Sequence, residues 1–166
     1  VAQSAGVSTA QGSEDAIWGD FNNDGYLDLY VANAGDPANG DKPNYLYLNN
    51  KNGTFTDVTS ASGAAGSAVG QSGGTTLTDY NGDGFLDIVI TKGLSTYSLA
   101  GPHELFLNSG NYAKWLQIKL QGITSNSLGI GARVVVTTDT GLTMTRQMNG
   151  GVHHYSQDEM LLSFGL

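Results

Sequence analysis

Leu27, Leu29 and Val31 stand at every second position, and the same apolar row returns at Leu86, Ile88 and Ile90. A period of two places alternate side chains on opposite faces of an extended chain, so each row predicts a strand with one face packed. Helical spacing is absent. Similar short runs bounded by Gly-, Asn- and Asp-rich turns predict strands near residues 16–19, 27–32, 45–48 and 54–58, a four-stranded antiparallel unit. A second set falls near 75–78, 85–91 and 104–107, and residues 115–120 supply either its fourth strand or the first strand of a new domain.

These sets are copies of one another. AIWGDFNNDGYLDLYVAN (16–33) aligns without a gap on TTLTDYNGDGFLDIVITK (75–92), an offset of 59 residues that carries Asp20 onto Asp79. The same offset carries Leu46-Tyr47-Leu48-Asn49 onto Leu105-Phe106-Leu107-Asn108, so one register explains two separated matches. The small-residue texture of residues 1–16 echoes 58–74. The chain is therefore expected to start inside a repeat, so that either it is a fragment of a longer protein or a neighbouring molecule supplies the edge strand.

Composition narrows the class. Twenty-four Gly, three Pro and crowded Thr, Val, Ile and Tyr agree with many strands joined by tight turns, an all-β protein. The 166 residues suffice for one sizeable core or two small ones. Seven Lys and Arg against fifteen Asp and Glu give a net charge of -8, which excludes a nucleic-acid partner that needs a basic stripe. There is no cysteine, hence no disulfide, thiolate nucleophile or Cys-bound zinc. No apolar stretch approaches the roughly 18–20 residues of a membrane span, and no basic-then-apolar leader opens the chain. A soluble, already processed chain is expected.

The acids are placed, not scattered. Asp20-Phe21-Asn22-Asn23-Asp24-Gly25-Tyr26-Leu27-Asp28 and Asp79-Tyr80-Asn81-Gly82-Asp83-Gly84-Phe85-Leu86-Asp87 both read DxNxDGxxD. Side-chain oxygens at positions 1, 3, 5 and 9, a sharp-turn Gly at 6 and a backbone carbonyl at 7 can wrap one hard cation. The candidate ligands are Asp20, Asn22, Asp24, Asp28 and the Tyr26 carbonyl, then Asp79, Asn81, Asp83, Asp87 and the Phe85 carbonyl. Calcium accepts six to eight such oxygens, whereas magnesium demands a smaller octahedron, so two Ca2+ sites are expected. Without a cation, three carboxylates in nine residues repel one another. The bland alternative is a pair of polar turns that bind nothing, and duplication at one offset weighs against it. A helix-flanked calcium hand needs an acid at position 12, where Val31 and Ile90 stand, so these are strand-to-strand turns.

AIWGDFNNDGYLDLYVAN, NYLYLNNKNGTFTDVTSASG and TTLTDYNGDGFLDIVI resemble the FG-GAP/VCBS repeats of integrin-α-type β-propellers, over residues 1–110. Residues 111–166 resemble the ASPIC/UnbV domain through KWLQIKLQG, SNSLGIGARVVV and Ser163-Phe164-Gly165-Leu166. The resemblance implies two propeller-blade-like repeats followed by a small C-terminal β domain, one calcium ion in each Asp loop, and a secreted or surface-exposed protein used in adhesion. Propellers close with about four to eight blades, and two blades leave faces to be covered. The C-terminal domain, further copies in a ring or fibre, or the rest of a longer protein are the expected covers.

Other constellations carry less. Gly70-Gln71-Ser72-Gly73-Gly74 matches a nucleophile elbow, but it is read as a small-residue connector. His153, His154, Asp158 and Glu159 lack metal-binding spacing, and Asp36, Asn39 and Asp41 read as a solvated loop. Asn52-Gly53-Thr54 is a sequon in an exposed turn. Trp18, Trp115 and the eight Tyr could stack on sugars, although such residues more often fill cores. No acid, base and nucleophile set assembles, so no enzyme is expected. Two functions compete: a calcium-tied extracellular structural or adhesive module that self-associates, and a module of a larger secreted protein that binds glycan or another surface polymer or protein.

Overall fold

The computed structural model describes residues 2–7, 12–33, 43–67, 71–93, 101–151 and 156–166. Asp36, Asn39, Asp41, Gly70, His153, His154 and Tyr155 lie outside them. The described chain is all-β with antiparallel sheets, as expected. The first repeat forms a sheet of β1 (Ser13–Gly19), β2 (Asp28–Asn33), β3 (Tyr45–Asn49) and β4 (Phe55–Asp57) in sequence order. The second forms β5 (Gln71–Thr78), β6 (Asp87–Gly93) and β7 (Glu104–Phe106), again in sequence order. The two share their irregularities: register slips between Ser13 and Asp15 in β1, and 59 residues later between Ser72 and Gly74 in β5.

Three local expectations give way. All six residues of β2 are buried, so both faces of that strand pack, not one. Tyr30 and Ala32 join Ile17 and Leu46 against Leu77, Ile88 and Ile90 of the second sheet. Leu29 and Val31 face the other way, with Tyr47, toward Val7 and Phe55. The sheets thus stack face to face like consecutive blades. Gln71 to Gly74 open β5 instead of forming a connector, because the backbone ladder to β6 extends to Gly93. A four-residue helix, α1 (Thr59–Ser62), interrupts the link between sheets; Thr59 N–H is held by Asp57 and its hydroxyl accepts Leu46 N–H, and the helix ends at Gly63 with φ of 74°.

The fourth strand of the second sheet is absent among the described residues. Residues at that place in the repeat belong to β8 (Trp115–Ile118), which pairs with β11 (Leu162–Gly165) instead. Between them runs the hairpin of β9 (Arg133–Thr137) and β10 (Thr143–Gln147). Met144, Met148, Leu162 and Phe164 form the buried centre of this carboxy-terminal unit.

In the core between the blades Tyr30, fully buried, donates its hydroxyl to Ala64 C=O at 2.8 Å. Tyr30→Phe leaves that carbonyl without its donor, and a loss of about 1–2 kcal/mol in urea unfolding is expected. A neutral result would mean that water replaces the hydroxyl.

Candidate metal centre

Each acidic turn joins the first two strands of its sheet. In the first, Asp24 N–H donates to Asp20 Oδ1 at 2.9 Å and to Asn22 Oδ1 at 3.1 Å, which draws positions 1 and 3 toward one nitrogen. Gly25 N–H donates to Asp20 Oδ2 at 2.8 Å, Tyr26 N–H to Asp24 Oδ1 at 3.0 Å and Phe21 N–H to Asp28 Oδ2 at 3.0 Å. The second turn repeats every bond. Asp83 N–H donates to Asp79 Oδ1 (3.0 Å) and Asn81 Oδ1 (3.1 Å), Gly84 N–H to Asp79 Oδ2 (2.8 Å), Phe85 N–H to Asp83 Oδ1 (2.9 Å) and Tyr80 N–H to Asp87 Oδ2 (2.9 Å). Even the left-handed backbone positions recur: Asn23 and Gly82 at φ of 54° and 73°, Gly25 and Gly84 at 87° and 86°. Gly or Asn suits such positions because a bulkier side chain crowds the backbone.

Two residues complete the frame that pattern reading passed over. Asn49 N–H donates to Asp28 Oδ1 at 2.8 Å and its amide to Leu27 C=O at 2.9 Å. Asn108 does the same for Asp87 Oδ1 at 2.7 Å and Leu86 C=O at 3.3 Å. Both oxygens of each position-9 carboxylate are thereby oriented by backbone N–H groups. The signal was present in the Leu-x-Leu-Asn match, whose shared Asn has no packing reason to recur.

The turns differ in their surroundings. Asp20 and Asp28 are 2% and 0% exposed. Burial lifts the Asp28 carboxyl to about 7, against the N–H groups of Asn49 and Phe21, with the charges of Asp20 and Asp24 adding to the rise. Burial also raises Asp20, although Gly25, Asp24 and Gly165 N–H groups oppose it. Compensating charge is partial: Lys51 Nζ lies 3.2 Å from Asp24 Oδ2 and 5.0 Å from the centre of the Tyr26 ring. The repeat places Gly110 where Lys51 stands, so the second turn has no such ammonium at that position. There Asp83 and Asn81 are exposed, while Asp87 is buried.

Among the described residues no three His, Cys, Asp or Glu side chains by themselves form a metal-holding group. Each turn needs its Asn amide oxygen and a backbone carbonyl to complete a shell. The donor set, all oxygen, fits calcium, and a carboxylate oxygen that accepts one N–H keeps a further lone pair for an ion. The N–H bonds fix the carboxylates' directions without exhausting them.

Stacked antiparallel blades, each with its first two strands joined by an Asp-rich turn, and a β unit seated beside them define a β-repeat protein. Residues 20–90 match the FG-GAP-like repeat family and residues 122–166 the ASPIC and UnbV family, so the chain carries an FG-GAP-like repeat region followed by an ASPIC/UnbV region. Curated relatives include cartilage acidic protein 1 of Homo sapiens, 31% identical over 142 residues, covering 84% of this chain and 19% of the relative. Those of Mus musculus and Xenopus tropicalis are 26% and 30% identical, over 96% and 84% of this chain. The chain spans 19% to 24% of these relatives' lengths. No helix among the described residues is long and apolar enough to cross a membrane.

Of the other constellations, Trp18 is half exposed and meets Phe55 with ring centres 6.0 Å apart. Asp158 and Glu159 are bound to β5, through Leu77 N–H and Thr78 hydroxyl respectively. Asn52 is exposed, and its amide oxygen accepts from Thr54.

Proposed function

We propose that this chain is a non-catalytic, extracellular structural module in which Asp20–Asp28 and Asp79–Asp87 each hold one calcium ion. The observation that carries the reading is the duplicated hydrogen-bond frame, which orients hard oxygen donors identically at two places 59 residues apart. Asp20, Asn22, Asp24, Asp28 and the Tyr26 carbonyl would hold one ion; Asp79, Asn81, Asp83, Asp87 and the Phe85 carbonyl the other. A bound cation supplies buried Asp28 with a countercharge and adds to the one that Arg146 offers Asp20. The extracellular assignment rests on the FG-GAP-like repeats and on relatives named for cartilage.

Calorimetric titration of the calcium-free protein tests this, with two ions per chain expected. Lys51 competes for Asp24 in the first turn, so Lys51→Met is expected to tighten one of the two sites several-fold and leave the other unchanged. A chain that takes up no calcium at millimolar concentration sinks the reading.

Self-association is part of the proposal. β7 is the edge of its sheet, and Leu105 and the adjoining Leu107 are 42% and 55% exposed. An exposed apolar edge is suited to pairing with another copy. Light scattering that finds only compact monomer, with and without calcium, would overturn this part.

A second reading, binding of glycan or another surface polymer, is favoured by one feature. A cavity of about 250 Å³ lies between the blades and the carboxy-terminal unit, lined by Trp18, Asp20, Arg146, Asp158 and Glu159 among others. An aromatic face with polar groups suits a sugar. Glycan-array binding abolished by Trp18→Ala would support it.

A further inference from the structure

We infer that the carboxy-terminal unit is a latch on both acidic turns, so that cation binding and docking of that unit are one coupled equilibrium. The inference rests on the calcium reading above and extends it to residues outside the repeats.

The contact is made by the end of a single two-stranded ribbon. In the β8–β11 pair, Gly165 stands opposite Trp115 and Ser163 opposite Gln117. Gly165 N–H donates to Asp20 Oδ2 at 3.1 Å, the same oxygen that accepts Gly25 N–H. Gln117 Nε2 donates to Asp79 Oδ2 at 2.8 Å, the same oxygen that accepts Gly84 N–H. The ribbon therefore addresses the equivalent atom of the equivalent residue in both repeats, once through backbone and once through a side chain. Nothing in the repeat itself calls for these donors, since each turn already satisfies its own N–H groups.

The fit allows no slack. A Cβ on Gly165 would lie 2.2 Å from the Asn23 carbonyl carbon, and one on Gly84 would lie 1.9 Å from the Trp115 ring. Leu142 crowds Gly25 in the same way, at 2.5 Å. The turns are also tied to each other: Asn23 donates to Gly84 C=O at 3.1 Å, and Asn108 donates to Phe21 C=O at 2.7 Å. A change of shape in either turn is consequently felt at the ribbon.

The physical link is electrostatic. An ion bound among the three carboxylates of a turn removes their mutual repulsion and holds the position-1 carboxylate with Oδ2 aimed at the ribbon's donor. Without the ion that repulsion is opposed by the N–H frame alone, which weakens the hold of the position-1 carboxylates on the donors of Gly165 and Gln117. Coupling of this kind is reciprocal: whatever factor docking adds to ion affinity, the ion adds to docking.

The experiment uses the full chain. Terbium luminescence or calorimetry reads calcium affinity, and amide hydrogen exchange reads the ribbon. Gln117→Ala is expected to weaken the second turn's site about fivefold or more and the first turn's site to a smaller extent, and Gly165→Ala to weaken the first turn's site at least as much. In the wild type, calcium is expected to slow exchange across β8 and β11 more than across the β9–β10 hairpin. Gln117 is not in the core, so its truncation keeps the test valid should Gly165→Ala fold poorly. Wild-type binding with unchanged affinity in Gln117→Ala, and ribbon exchange indifferent to calcium, would overturn the latch while sparing the calcium sites. A wild type that binds no calcium would sink both.

Discussion

Stripping divalent cations from this protein is expected to lower its melting temperature by about 10–20 °C. An ion present at about a hundred times its dissociation constant stabilises the state that binds it by roughly 2.7 kcal/mol, and two sites give roughly twice that. For a chain of 166 residues each kcal/mol moves the midpoint by about 2–4 °C. Asp83→Ala separates ion binding from packing, because Asp83 is exposed and its truncation in chelator costs no more than about 1 kcal/mol. In calcium the same change should remove about half of the gain, and Asp24→Ala the other half. Asp28→Ala differs: its carboxylate holds Phe21 and Asn49 N–H groups in a buried place, so it should destabilise with or without calcium. Differential scanning calorimetry in calcium and in chelator checks all four. Superimposed wild-type scans would mean that the turns are held by hydrogen bonds alone.

Lys92→Met is expected to cost about 3–5 kcal/mol, read as a shifted midpoint in denaturant. Lys92 Nζ lies 3.1 Å from Glu104 Oε2, with side chains 1% and 15% exposed, and Lys92 also donates to Ser67 C=O. Removing the ammonium strands the Glu104 carboxylate in a place that water barely reaches. Much of the penalty belongs to that stranded charge and not to the pair, so Lys92→Met combined with Glu104→Leu should recover most of it. If the single change costs under about 1 kcal/mol, the carboxylate has found water or a proton, and the pair is not an anchor of the second blade. The first repeat gives no hint of this pair, since Asn33 and Tyr45 occupy the equivalent positions and Asn33 bonds to Asn44 and Pro43 instead.

The two turns were legible because their hydrogen bonds close within nine residues. Asp24 N–H reaches back two and four positions, Gly25 N–H five and Phe21 N–H forward seven, so residue types at fixed spacing specify the frame. Strand identity was legible in β2 and β6 for a similar reason: alternation along one segment is a local property. It failed at Gln71 to Gly74, where Ser and Gly carry no apolar row and only the ladder to β6 makes a strand.

By itself, then, the chain's order of residues determined the antiparallel blade, its 59-residue repetition and the geometry of each acidic turn. Tertiary structure decided what each strand pairs with and what closes each turn. Trp115–Ile118 could have completed the second blade, yet it pairs with Leu162–Gly165, and Gly165 meets Asp20 across 145 positions of chain. A strand shows the same unsatisfied N–H and C=O groups to every possible neighbour, so its pattern fixes which face is buried but leaves the partner to whichever core brings one within reach.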